Sequence, residues 1–142
     1  MTVRRTAGGI FVALLMIAAG LAISTPAQAY PINNDCNIGA YLDNCLYYQS
    51  NYGGAKAGIA PAVPDYANPA GYFPGPGAGA GTRIWNNAGS GQNHDTVCTA
   101  RVWFSANYGA PFQQLNRYPT SGYASPTLGA VNNDNRSQNW TC

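Results

Sequence analysis

Few side chains in this sequence are able to do chemistry. His94 is the only histidine, and Asp95 follows it directly. Neighbours in an extended run face opposite sides, so the two do not form a working pair. No spacing supports a Ser-His-Asp trio, and a single histidine cannot build a His-based catalytic zinc site. His94 is therefore expected as an exposed loop residue. The acids are Asp35, Asp43, Asp65, Asp95 and Asp134, with no glutamate. Cys36, Cys45, Cys98 and Cys142 are the remaining reactive groups. An even cysteine count in a chain bound for export reads as disulfides, which leaves no thiolate nucleophile. The expectation is a protein that is not an enzyme.

The export reading comes from the first 29 residues. Arg4 and Arg5 precede an uncharged apolar run from Ile10 to Ile23, and Ala27-Gln28-Ala29 follows. This is the layout of a secretory signal peptide with cleavage before Tyr30. The remainder, 30–142, is 113 residues, enough for one domain. Its basic residues are Lys56, Arg83, Arg101, Arg117 and Arg136, which balance the five aspartates. A neutral surface offers no electrostatic hold on nucleic acid or, once the signal is removed, on a membrane. Secretion as a monomer is expected. Four cysteines admit three pairings. Sequence proximity favours Cys36–Cys45, and the need to fix the last residue favours Cys98–Cys142. Loop closure is then worth about 3 and about 4 kcal/mol respectively, before strain.

The elements that must position these groups are strands. No stretch of 30–142 carries a helical apolar period free of Gly or Pro. Leu46-Tyr47-Tyr48, Thr82-Arg83-Ile84-Trp85 and Thr99 to Phe104 are aromatic or β-branched and read as strands. Gly71 to Gly81, with five glycines and two prolines in eleven residues, reads as an exposed mobile loop. Trp85 and Trp103 are expected in the core, and Trp140 at the surface. A repeat organises the whole. Tyr47, Tyr52 and Gly54 recur as Trp103, Tyr108 and Ala110 at an offset of 56. Asn86-Asn87-Ala88-Gly89-Ser90 recurs as Asn133-Asp134-Asn135-Arg136-Ser137 at an offset of 47. The first copy thus carries nine extra residues, which the Gly-Pro stretch accommodates.

An aromatic, four residues, an aromatic, one residue and then Gly resembles the folded-hairpin signature of βγ-crystallin Greek key motifs. The two pentapeptides resemble that family's second signature, with Gly91 and Gln138 departing at the sixth position. The resemblance implies an all-β, βγ-crystallin-like Greek key sandwich of two repeated motifs, about 36–93 and 98–142, with two disulfides. It implies positive φ at Gly54, and at Ala110 either strain or a shifted register that puts Gly109 in the turn. It implies that Ser90 and Ser137 tie each motif back to its own hairpin. It also implies calcium ligands at Asn86, Asn87, Ser90, Asn133, Asp134 and Ser137. With Asp134 the sole carboxylate, such binding is weak and calcium is not required. Asn and Ser equally serve the turns themselves.

Within that fold, the opening residues Cys36, Cys45, Tyr47, Asn51, Tyr52, Gly53 and Gly54 resemble secreted bacterial peptidase inhibitors of the metalloproteinase-inhibitor type. That resemblance implies a rigid exposed loop that blocks an extracellular protease. Asp95 to Val102 is placed for it, with Val97, Cys98 and Thr99 at the inhibitory position. The family closes this loop with a second nearby cysteine, whereas here Cys98 must reach Cys142. The alternative is a calcium-binding or carbohydrate- and cell-wall-associated module without inhibitory activity.

Overall fold

A computed structural model describes residues 31–37 and 43–142. The proposed signal peptide and its cleavage point lie outside the described residues. Among the described residues, eight strands form two antiparallel sheets. They are β1 (Ile32–Asn33), β2 (Asn44–Tyr47), β3 (Lys56–Ile59), β4 (Ser90–Asn93), β5 (Thr99–Ser105), β6 (Gly109–Leu115), β7 (Ala124–Ser125) and β8 (Ser137–Thr141). One sheet runs β1-β3-β2-β4-β7 and the other β6-β5-β8.

The repeat maps onto these sheets. The hairpin β2–β3 with β4 corresponds to the hairpin β5–β6 with β8. Each copy also reaches into the other sheet. Val63, from the first copy, bridges Gln138 of β8, and β7, from the second copy, pairs with β4. Alternation along β5 buries Ala100 and Val102 and turns Arg101 and Trp103 outward. With Leu46, Ala57, Ile59, Phe73, Ile84, Leu115, Leu128 and Val131 they fill the core between the sheets.

Both hairpins turn through the same backbone geometry. Asn51 and Tyr52 have φ of 56° and 61°, and Asn107 and Tyr108 have 56° and 65°. Asparagine tolerates this left-handed region better than other non-glycine residues, which accounts for Asn-Tyr in both copies. Gly54 has φ of 76°, and a Cβ there would stand 2.7 Å from the Ala78 carbonyl oxygen. Ala110 overturns the expectation of equivalence. It is not among the positive-φ residues, and Gly109 sits at φ −83°. The second copy instead enters β6 directly at Gly109, past a register shift between Trp103 and Ser105.

Three further expectations are corrected. The Gly-Pro stretch is anchored, because Phe73 is fully buried and backbone bonds join Phe73 with Thr82 and Gly81, and Ala55 with Ala78. Its glycines admit large neighbours: a Cβ on Gly79 would lie 2.1 Å from the Tyr48 ring. Residues 82–85 form no strand, and only Arg83 makes a bridge, to Tyr72. Trp85 and Trp103 are half-buried. Trp85 packs on the core edge beneath Arg136, while Trp103 faces outward against Phe112. Trp140 is also half-buried, and its indole N–H donates to the Ala60 carbonyl. Both disulfides are as expected, Cys36–Cys45 and Cys98–Cys142, with Cα separations of 5.8 and 4.2 Å.

Candidate functional site

The connection from β4 to β5, residues 94–98, carries the chain from one sheet to the other. Asn93 and Asp95 shape it from inside. The Asn93 side-chain carbonyl accepts the Asp95 N–H at 2.9 Å, and its amide donates to the Cys98 and Leu115 carbonyls at 2.8 and 3.1 Å. The fully buried Asp95 accepts the Val97 and Cys98 N–H groups on one carboxylate oxygen, at 2.5 and 2.6 Å. Its backbone carbonyl accepts the Tyr118 N–H. The disulfide to Cys142 closes the far side.

What this leaves outside is a two-residue apex. Thr96 is exposed, and the Val97 side chain is 57% exposed. Cys98 is fully buried, and Thr99 already belongs to β5. Of the three residues expected at an inhibitory position, only Val97 is exposed. Thr96 was missed. The signal for it lay in Asp95-x-Val97, since an aspartate that caps backbone N–H groups two and three residues on throws the residues between outward. Val97 borders a shallow cleft of about 410 Å³, with Thr99, Asn116, Arg117, Thr120 and Thr141.

The two Asn/Asp–Ser segments take equivalent positions. Asn86 and Asn133 share φ of 56°. Ser90 Oγ donates to the Gln49 carbonyl at 2.6 Å and accepts the Tyr52 N–H at 2.9 Å. Ser137 Oγ donates to the Ser105 carbonyl at 2.7 Å and accepts the Tyr108 N–H at 3.2 Å. Both serines therefore tie their segments to the hairpins. The Asn87 amide donates to the Trp85 carbonyl, and Asp134 is exposed. Asn87 and Asn133 meet Tyr48, Gln49 and Ser50 around a cleft of about 380 Å³ that no carboxylate lines. Amide and carbonyl oxygens there suit only weak cation binding.

His94 is buried, against expectation. Its backbone N–H donates to the Asp43 carbonyl, and its Nε2 lies 3.3 Å from Gln92 Oε1, which also accepts the Tyr47 hydroxyl. Burial holds the imidazole below its ordinary value of 6.5 and lifts the nearby Asp43 carboxyl above 3.8. Asp43, Cys45 and His94 bring potential metal-ligating atoms within 4.8 Å of one another. The Cys45 sulfur is committed to its disulfide with Cys36, which removes it as a thiolate ligand.

No protein-family model and no curated protein sequence matches this chain. Among solved structures, a domain from work on the evolution of the eye lens βγ-crystallin fold superposes with a TM-score of 0.57. It covers 78% of this chain and 96% of that one at 12% identity. A βγ-crystallin from an archaeon gives a TM-score of 0.49 at 16% identity, over 72% of this chain and all of that one. The class defined is an all-β domain with the βγ-crystallin fold. Two disulfides close it, and no helix among the described residues is long and apolar enough to cross a membrane.

Proposed function

We propose that this is a secreted peptidase inhibitor-like protein that presents Thr96 and Val97 to the cleft of an extracellular peptidase. The observation that carries the reading is the construction of the 94–98 connection. An exposed β-branched side chain stands on backbone fixed by the buried Asp95 carboxylate, by Asn93 and by the Cys98–Cys142 bridge. A segment already held in one conformation loses little entropy on docking, which is the chief requirement of a loop-type inhibitor. A cut between Cys98 and Thr99 leaves the two products joined by the Cys98–Cys142 bridge, and a cut on either side of Val97 leaves them held by the Asp95 carboxylate and the flanking strands, so product release is slow and religation is favoured. In this reading the protein acts by binding as a monomer, performs no catalysis, requires no cofactor and does not engage nucleic acid or membrane.

The test is incubation of the disulfide-intact protein with a panel of extracellular metallo- and serine peptidases. Residual activity is measured, and the protein is mapped for one slow cut within 95–99. At least one enzyme is expected to be blocked, and Val97→Asp is expected to relieve the block at an unchanged unfolding midpoint. Inhibition of no enzyme, rapid cutting at several sites, or full inhibition by the Val97→Asp variant overturns the proposal.

A further inference from the structure

The outer face of the three-stranded sheet is unconnected with the 94–98 apex and carries its own chemistry. On β5, Arg101 and Trp103 point away from the core. Phe112 and Gln114 stand opposite them on β6, and Asn139 stands opposite Arg101 on β8. Trp103 and Phe112 form one aromatic platform, with ring centroids 4.5 Å apart and planes tilted by 45°. Phe112 is 41% exposed, although such a ring is ordinarily core material.

Polar groups ring the platform. The Trp103 indole N–H donates to Asn139 Oδ1 at 2.9 Å, which aims the rest of that amide along the sheet. Gln114 is exposed. The Arg101 guanidinium carbon sits 5.3 Å from the Phe112 centroid, which holds the group against the platform. Its Nε is covered and has no hydrogen-bond partner among the described residues. The ion pair among those residues joins Arg136 to Asp65, not Arg101 to any acid. No aspartate stands beside Arg101 in the register of β5, β6 or β8.

We infer that this strip binds an acidic polysaccharide. The apolar C–H faces of a pyranose ring pack on tilted aromatic rings. Its hydroxyls match planar amides that both donate and accept. A uronate carboxylate matches an arginine with no acid of its own, the one unmet charge on the face. The occupant is a glycan rather than a nucleic acid because the strip offers a single cation among neutral amides. A phosphate backbone needs several cations along its track.

The test titrates the disulfide-intact full chain with sodium polygalacturonate and follows tryptophan fluorescence and retardation in an affinity gel. Dextran serves as the uncharged polymer and oligothymidylate as the nucleic acid. Saturable, salt-weakened binding to polygalacturonate is expected, with dextran and oligothymidylate at least tenfold weaker. Phe112→Ala is expected to weaken binding at least tenfold, and Arg101→Gln to reduce polygalacturonate to the level of dextran. Gln114→Ala, on an exposed side chain whose amide donates to Asn116 Oδ1, is expected to weaken binding several-fold and keeps the test open should Phe112→Ala not fold. Peptidase inhibition is expected to survive all three changes, because none touches Val97, so failure here is separable from failure of the inhibitor reading. Absence of polygalacturonate binding, equal binding of dextran or oligothymidylate, or unchanged affinity in folded Phe112→Ala overturns the inference.

Discussion

Replacing Gln138 by methionine is expected to cost roughly 3–5 kcal/mol of folding free energy. Gln138 is fully buried, and its side chain joins four partners. Oε1 accepts the Asn44 amide at 2.7 Å and the Tyr66 hydroxyl at 2.9 Å. Nε2 donates to the Ile59 and Pro61 carbonyls at 3.2 and 3.1 Å. Methionine keeps the length and volume, so packing changes little and the polar loss stands alone. Each bond is worth about 1 kcal/mol net, and each buried donor left without an acceptor costs about 1–3 kcal/mol. Partial relaxation of Asn44 and Tyr66 brings the sum into the stated range, a large part of the ~5–15 kcal/mol that holds a domain of this size. Urea unfolding of the wild type, Gln138→Met, Tyr66→Phe and the double variant gives the coupling directly. The double variant should cost about 1–2 kcal/mol less than the two single changes added, because phenylalanine removes the orphaned hydroxyl. A cost below about 1 kcal/mol for Gln138→Met, or strict additivity, refutes the reasoning.

Gly54→Ala should lower the urea midpoint by an amount equivalent to about 2 kcal/mol, combining positive-φ strain with the clash at the Ala78 carbonyl. Ala110→Gly, at a position without positive φ, should instead lose a few tenths of a kcal/mol. Ser90→Ala and Ser137→Ala should each cost about 1–2 kcal/mol by calorimetry, since each removes a bonded pair inside the fold; a neutral result would show that the hairpins need no tether. The buried His94 is held below 6.5 by desolvation, so the unfolded chain takes its proton first as pH falls. The stability it contributes is present above 6.5 and lost below it. The raised Asp43 works the opposite way, its contribution growing as pH falls through its folded value towards 3.8. Urea midpoints should therefore drop between pH 7 and pH 5, and His94→Gln should flatten that drop; a flat wild-type profile would contradict the placement. Millimolar calcium should raise the thermal midpoint by a few degrees at most, about 0.4 kcal/mol for a ligand near its own Kd, and Asp134→Asn should abolish the shift.

Much of the fold was legible because its signals are local. The aromatic and β-branched run from Thr99 became β5, and the Asn-Tyr-Gly repeat located both hairpins. The cysteine spacing located both bridges. What escaped was set by partners distant in sequence. Phe73 looked stranded among glycines, yet those glycines let its backbone approach Thr82 and Gly81 closely enough to pair. His94 looked like an exposed residue, but it is buried, and Asp43, 51 positions earlier, takes its N–H. Ala110 failed as a counterpart of Gly54 because the register shift after Trp103 absorbs the turn differently. In the 94–98 connection the exposure of Val97 was expected and that of Thr96 was not, because the capping role of Asp95 shows only once its carboxylate is seen turned inward. Gln138, a departure from the repeat signature, gave no hint that it would join the two halves.

The reciprocal placement of Val63 against β8 and of β7 against β4 sets the order in which the chain can mature. Val63 cannot find its partner until Gln138 has been synthesised, and the outer edge of β4 stays open until β7 is made. Pairings this far apart in sequence close slowly. An open edge in the interval is a template for pairing with another chain. Maturation is then a single late event in which both sheets complete each other and Cys142 comes within reach of Cys98. A chain stopped before β8 would leave Val63 without its bridge and one edge of β5 unpaired, open to strands of neighbouring molecules.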